Sequence, residues 1–168
     1  MLYQIHGLDR RGRTGGFTLV EILIVVIILG ILASIVLPQF SNASVQARES
    51  TMKDILRFMR SEVMLYQAQH GDVPPGPDAA GFSVEMTSYS DAAGNTSLTS
   101  SDVYKFGPYL SQMPANPFNG KTTVTVVANG GSLPAPDGST GWIYNPQTLQ
   151  FIANIAGSDA LGVAYSSY

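Results

Sequence analysis

The chain opens on a short polar stretch, residues 1–16, then turns almost wholly apolar from residue 17 to residue 37, with Glu21 the one charge in that run. At 1.5 Å of rise per helical residue the run covers about 30 Å, the hydrocarbon thickness of a bilayer, so it is long enough to span a membrane. Beyond Pro38 polar residues return but a helical period persists. Val45, Met52, Ile55 or Leu56, Met59, Val63 and Tyr66 recur every three or four residues, which predicts an amphipathic helix over 38–71 with one apolar, core-forming face. Arg48, Glu49, Lys53, Asp54, Arg57, Arg60 and Glu62 fall between them on the exposed side, with Asp54 placed to pair with Arg57. The helix should stop near His70-Gly71, because glycine favours termination and Pro74-Pro75 forbids resumption.

Two residues weaken the apolar run. Gly30 lowers helix propensity by about 1 kcal/mol relative to alanine, and Pro38 cannot donate its N–H to the Ser34 carbonyl, so residues 30–38 are expected to kink or melt. In a membrane such a kink is also passively tolerated, since neighbouring helices re-satisfy the backbone. Gly30 and Ser34 form a small-xxx-small pair that lets a second helix approach.

Downstream, residues 72–101 are rich in Gly, Pro, Ser, Ala and Asp and read as a long loop with a short helix or strand around Phe82 and Met86. Three prolines among Phe106-Gly107-Pro108-Tyr109-Leu110 and Met113-Pro114-Ala115-Asn116-Pro117-Phe118 exclude a regular helix there and suggest a rigid turn. Strands are expected at 121–128, 141–144 and 149–155, the last two joined by a hairpin turn at Asn145-Pro146-Gln147-Thr148. Trp142, Tyr144 and Phe151 then belong to a sheet face packed on the helix. The tail 157–168 is small and polar. The expected fold is α+β: a long N-terminal helix, transmembrane in its first half and amphipathic in its second, packed on a small C-terminal antiparallel sheet. Its segments are 1–16, 17–37, 38–71, a variable loop region 72–120, and the sheet with its tail, 121–168.

Composition narrows the chemistry. Setting aside Arg10, Arg11, Arg13 and Asp9, which precede Gly16, the nine basic and twelve acidic residues of the chain become six against eleven, so the rest offers no basic surface for nucleic acid or anionic lipid. Cysteine is absent, which excludes disulfides, thiolate metal sites and a cysteine nucleophile, and His6 and His70 alone cannot build a multi-histidine metal site. No Ser-His-acid constellation, phosphate-binding glycine loop or paired carboxylate is arguable, so no catalytic residue is assigned and the chain is not expected to be an enzyme. Asp72, Asp78, Asp91 and Asp102 leave calcium open as a ligand, but lack the spacing of a calcium-binding loop, and no other cofactor or metal is expected.

The arginines before the run, with no basic residue for ten positions after it, favour a cytoplasmic N-terminus and an exported C-terminal part. A secretory signal peptide cleaved near Ser41-Asn42-Ala43 is the competing reading, but the run exceeds the roughly 7–15 residues of a usual apolar region. Glu21 also argues against it: an intramembrane acid costs on the order of 3 kcal/mol and persists with a partner. No lysine, arginine or histidine lies within the run. Cleavage between Gly16 and Phe17 would create the missing cation, an α-amino group one helical turn before Glu21. Alternatively Glu21 sits at headgroup depth at a helix N-terminus, where the dipole favours an anion.

The stretch Gly15-Gly16-Phe17-Thr18-Leu19-Val20-Glu21 resembles the cleavage motif of the type IV prepilin-like family, which comprises type IV pilins and type II secretion pseudopilins. The likeness extends through Gly30 and Pro38. Pro114-Ala115-Asn116-Pro117-Phe118 more loosely resembles the Pro-x-Asp-Pro-Trp loop of G-type major pseudopilins, with Asn116 and Phe118 in place of the aspartate and tryptophan. The tail's one acid, Asp159, is too little to transfer the calcium site of those proteins.

The resemblance implies a pilin-like fold, removal of the leader after Gly16 by a prepilin peptidase, and N-methylation of Phe17. It also implies polymerisation of the chain with itself and other pilin-like subunits through the N-terminal helix, with Glu21 pairing to a neighbour's Phe17 amine. Further implied partners are an inner-membrane assembly platform and its ATPase. The implied location is the bacterial inner membrane, single-pass, then a periplasmic filament driving protein export. A surface type IV pilus and a membrane-anchored periplasmic binding module are the alternatives.

Overall fold

The computed structural model describes residues 16–76 and 78–168, apart from the side chains of residues 37–41, 79 and 80. Residues 1–15, with Arg10, Arg11 and Arg13 of the expected leader, lie outside the described residues. Two compact units, Met1–Ala43 and Ser44–Tyr168, divide the chain, and the first helix, α1 (Leu19–Gln69), contributes to both.

In the first unit, residues 16–18 carry no regular structure and α1 begins at Leu19. From Leu19 to Val36 its side chains are exposed on every face. The window Leu19–Val36 has a mean hydropathy of 3.1 with none of it buried, so this is a helix long and apolar enough to cross a membrane. Ser34 Oγ donates to the Ile31 carbonyl at 2.7 Å, which leaves its hydroxyl satisfied inside the helix. The helix is uninterrupted at Gly30 and Pro38, where the sequence predicts a kink or melted stretch: residues 30 and 38 are both helical.

In the second unit α1 supplies the expected stripe. Met52, Leu56, Met59, Val63 and Tyr66 are all buried, each stabilising the fold by about 1.5–3 kcal/mol on transfer scales. Val45, two turns earlier, stays exposed. Gly71 closes the helix in the left-handed region at φ 63°, and the Asp72 amide donates to the Gln67 carbonyl at 3.0 Å, the long bond of a Schellman cap. The helix α2 (Ala79–Thr87) follows, started by Asp78, whose carboxylate accepts from the Gly81 amide at 2.8 Å, and it buries Phe82 and Met86 one turn apart.

Strands β1 (Tyr89–Ser90) and β2 (Thr96–Ser97) form a small antiparallel hairpin. Strands β3 (Val124–Val126), β4 (Trp142–Asn145) and β5 (Gln150–Ala153) form the main sheet in that order. The α+β class holds, and β4–β5 is the expected antiparallel hairpin, with Trp142 opposite Ala153 and Asn145 opposite Gln150. The pair β3–β4 is parallel instead, so the sheet is mixed. A parallel pair needs a crossover of a dozen residues or more, and residues 127–141 provide it without a helix.

The centre of the sheet explains its composition. All four residues of β4 are buried: Trp142 and Tyr144 face the α1–α2 core, and Ile143 points to the other side. Asn154 fastens the crossover, its Oδ1 accepting from the Asp137 amide at 2.8 Å and its Nδ2 donating to Asp137 and Thr140. Gly141 must be glycine, because a Cβ there would lie 2.1 Å from the Lys121 carbonyl oxygen. Asn116 is fully buried; its Nδ2 donates to the Gly141 carbonyl at 2.8 Å and its Oδ1 accepts from the Phe118 amide at 2.9 Å. Trp142 Nε1 donates to the Pro114 carbonyl at 2.9 Å, so the proline-rich turn is clamped to the start of β4.

The tail is not a loose polar end. It folds into a short 3-10 helix, η1 (Tyr165–Ser167), and Tyr165 packs beside Phe118 with ring centroids 4.7 Å apart. The Tyr165 hydroxyl donates to Glu49 at 3.1 Å, Lys53 sits 4.0 Å above the Tyr168 ring, and Arg60 donates to the main-chain oxygens of Phe151 and Tyr168.

Candidate functional site

Of the residues singled out in the sequence, the first group lies at the entry to α1. Phe17 is 82% exposed, and nothing lies within 4 Å of the position a Cβ would take on Gly16. The fold of the chain itself therefore has no need of glycine at 16; the compact, accessible Gly16–Phe17 peptide is suited to recognition from outside.

Thr18 is the N-cap of α1 and Glu21 its third residue. The Thr18 amide donates to Glu21 Oε2 at 2.7 Å and the Thr18 hydroxyl to the same oxygen at 2.8 Å, while the Glu21 amide donates back to Thr18 Oγ1 at 3.2 Å. This is a reciprocal capping box, which satisfies helix N-terminal donors and places an anion where the helix dipole favours it. Glu21 thus has a hydrogen-bonding partner in Thr18, as a position at a helix N-terminus provides, although Thr18 is not the cation that cleavage would supply. Thr18 is the functional residue that the charge argument missed, and the spacing Thr18-x-x-Glu21 ahead of an apolar run was the signal that could have found it. The box engages Oε2 and leaves Oε1 outside it.

Gly30 lies further along the exposed apolar face, again with nothing within 4 Å of a Cβ position, so its small size leaves room for another helix. Pro38 lies within α1. The acids considered for calcium are scattered: Asp78 caps α2, Asp91 accepts from the Ala93 and Asn95 amides, and Asp72 follows the end of α1. Among the described residues no group of three or more His, Cys, Asp or Glu side chains is arranged to hold a metal. His70 is buried against Ser90, its Nε2 3.0 Å from the serine hydroxyl and its Nδ1 2.7 Å from the Tyr66 carbonyl.

Comparison with known proteins points to the same segment. Residues 11–37 match the prokaryotic N-terminal methylation motif. The chain is 36% identical over 66 residues to the fimbrial protein of Neisseria meningitidis serogroup A, covering 39% of each chain. It is 35% identical over 65 residues to type II secretion system core protein G of Pseudomonas aeruginosa, covering 39% of this chain and 46% of that one. A longer match, 30% identical over 147 residues, is to the type IV major pilin protein PilA of Myxococcus xanthus, covering 88% of this chain and 56% of that protein. The chain thus spans between about two fifths and somewhat over half of the length of these relatives. No solved structure gives a significant match. The chain thus carries, over the capped start of an apolar helix that leads into an α+β unit, the N-terminal methylation motif of prepilin-like proteins, and it is similar to type IV pilins and to type II secretion core protein G alike.

Proposed function

We propose that this chain is a structural, non-enzymatic subunit of a type II secretion-like pseudopilus. It is cut between Gly16 and Phe17 by a prepilin peptidase, methylated at the Phe17 amine, and polymerised through α1 into a periplasmic filament that drives protein export. The observation that carries the reading is the motif match over residues 11–37, which falls on an exposed Gly16–Phe17 junction followed by an apolar helix whose side chains from Leu19 to Val36 are exposed. A helix apolar on all faces requires lipid or other helices around it, and the reading supplies both in turn: the inner membrane, with the N-terminus cytoplasmic, and then the filament.

Glu21 acts in the second stage. The new amine at Phe17 remains charged after methylation, since a secondary amine is still basic near neutral pH. A neighbour's amine can approach Oε1 while Thr18 holds Oε2, so the helix cap and the contact between subunits need not compete for one oxygen. The assembly platform, its ATPase and further pilin-like subunits are the partners this reading requires.

The test is the intact mass of the protein from its native membrane: it should begin at N-methyl-Phe17, and a retained leader overturns the reading. Glu21→Ala should still be processed and inserted but fail to polymerise; normal filaments from that variant would remove the charge-pairing step. A surface type IV pilus is the second reading, favoured by the long match to the Myxococcus xanthus pilin. It predicts fibres outside the cell that disappear when a retraction-linked assembly system is deleted, whereas the pseudopilus predicts loss of secreted protein.

A further inference from the structure

The Ser44–Tyr168 unit carries a cavity at the C-terminal end of α1 that the chemistry of the helix start does not use. It encloses about 360 Å³, within the roughly 300–1,000 Å³ of small-ligand pockets. Tyr66 and His70 line it with rings stacked 3.8 Å apart, and Val73, Pro74 and Pro146 add apolar wall. Both His70 nitrogens are already engaged, by the Tyr66 carbonyl and the Ser90 hydroxyl.

Glu85 is the one carboxylate among the lining residues. The Gly76 amide donates to its Oε2 at 2.7 Å and fixes it at half-buried depth. Burial first, and then the Glu85 charge, push the Tyr66 and Tyr144 phenols upward, so both remain protonated. Tyr144 is fully buried, and its hydroxyl has no hydrogen-bond partner among the described residues. Among the described residues the only ion pair is that of Asp54 with Arg57, so none of them sets a cation on Glu85, whose carboxylate takes a hydrogen bond from the Tyr66 phenol. A half-buried anion held by neutral donors, with apolar walls around it and no cation among the described residues, favours a ligand that brings one.

We propose that this cavity binds an alkylammonium group, its head on the Glu85 carboxylate and its aliphatic stem against Val73, Pro74 and Pro146. The group can belong to a free amine or to a lysine side chain of another polypeptide. The proposal is independent of filament formation, and its failure leaves the pseudopilus reading untouched.

The test uses the full chain, ¹⁵N-labelled in detergent micelles, titrated with n-butylammonium, with the blocked tripeptide acetyl-Gly-Lys-Gly-amide, and with n-butanol and butyrate as controls. The Gly76 and Gly94 amide signals should shift saturably with the ammonium probes and not with butyrate. Shifts from both ammonium probes identify lysine capture, and shifts from n-butylammonium alone identify a free amine. Glu85→Gln should weaken binding about tenfold or more. Ala93→Leu, which keeps the carboxylate and fills an exposed lining position, should also weaken it and decides the matter if Glu85→Gln loses the native spectrum. Absence of saturable shifts from either ammonium probe, equal shifts from butanol or butyrate, or unweakened binding by natively folded variants overturns the proposal.

Discussion

The substitution Asn116→Asp changes one group at nearly constant shape, and the structure sets the size of the effect. Asn116 is fully buried, donating through Nδ2 to the Gly141 carbonyl at 2.8 Å and accepting through Oδ1 from the Phe118 amide at 2.9 Å. An ionised aspartate keeps the second bond but turns the first into an anion facing a carbonyl oxygen. A protonated aspartate keeps both. Holding a carboxyl of ordinary pKa, about 3.9, neutral at pH 7 costs about 4 kcal/mol at 1.36 kcal/mol per unit, and this escape caps the destabilisation. The folded-state pKa of the introduced carboxyl is raised above its unfolded value. The variant therefore matches the parent below about pH 4 and loses stability as pH rises, by up to about 1.4 kcal/mol per unit, until the pH passes the folded-state pKa. Urea unfolding of both proteins in micelles, followed by the fluorescence of buried Trp142 between about pH 4 and 7.5, reads the difference directly. A difference that does not vary with pH, or one below about 1 kcal/mol at pH 7, refutes the assignment of Asn116 as an obligatory donor.

Three further outcomes follow from contacts already described. Thr18→Val removes the cap hydroxyl and should lower the stability of the first turn of α1 by about 1 kcal/mol, seen as roughly fivefold faster amide exchange at Glu21; unchanged exchange would show that the capping box is not formed. Arg60→Met loses the bonds to the Phe151 and Tyr168 oxygens and should destabilise the second unit by about 2 kcal/mol in urea unfolding, whereas a change under about 0.5 kcal/mol would mean that the tail is not fastened there. Asp159 is held below the usual carboxylate range by the Tyr168 hydroxyl first and the Val163 amide next. Its folded-state pKa is depressed, so its contribution to stability is present above the unfolded value and lost as pH falls through the folded one. Tyr168→Phe should move that loss to higher pH, and an unchanged carboxyl titration of Asp159 by NMR would refute the contact.

What could be read from the sequence was set by local periodicity. The stripe from Met52 to Tyr66 repeats at helical spacing and buries as expected, and Gly71 ends the helix through the backbone conformation that glycine adopts most easily. The turn after Asn145 was equally legible, because proline and asparagine act within their own neighbourhood. The parallel pairing of β3 with β4 was not: a three-residue strand carries no sign of its direction, and the crossover has no helix to announce it. At the helix start the carboxylate was found by its cost in lipid while its partner, the small hydroxyl of Thr18, was passed over. The anchoring of the tail could not be read locally either, since Tyr165 and Arg60 find partners about a hundred residues away in the chain.

The bond between Tyr165 and Glu49 joins residues separated by 116 positions. At synthesis rates of about 5–20 residues per second, roughly 6–23 s pass between the appearance of one partner and the other. For most of that interval the stripe of Met52, Leu56, Met59, Val63 and Tyr66 exists without the strands β3–β5, and throughout it the covering tyrosine is still to come. The nascent chain therefore carries a half-finished core as a sticky intermediate, and its yield depends on whatever shields that stripe, a membrane surface or a chaperone, until the last turn is made.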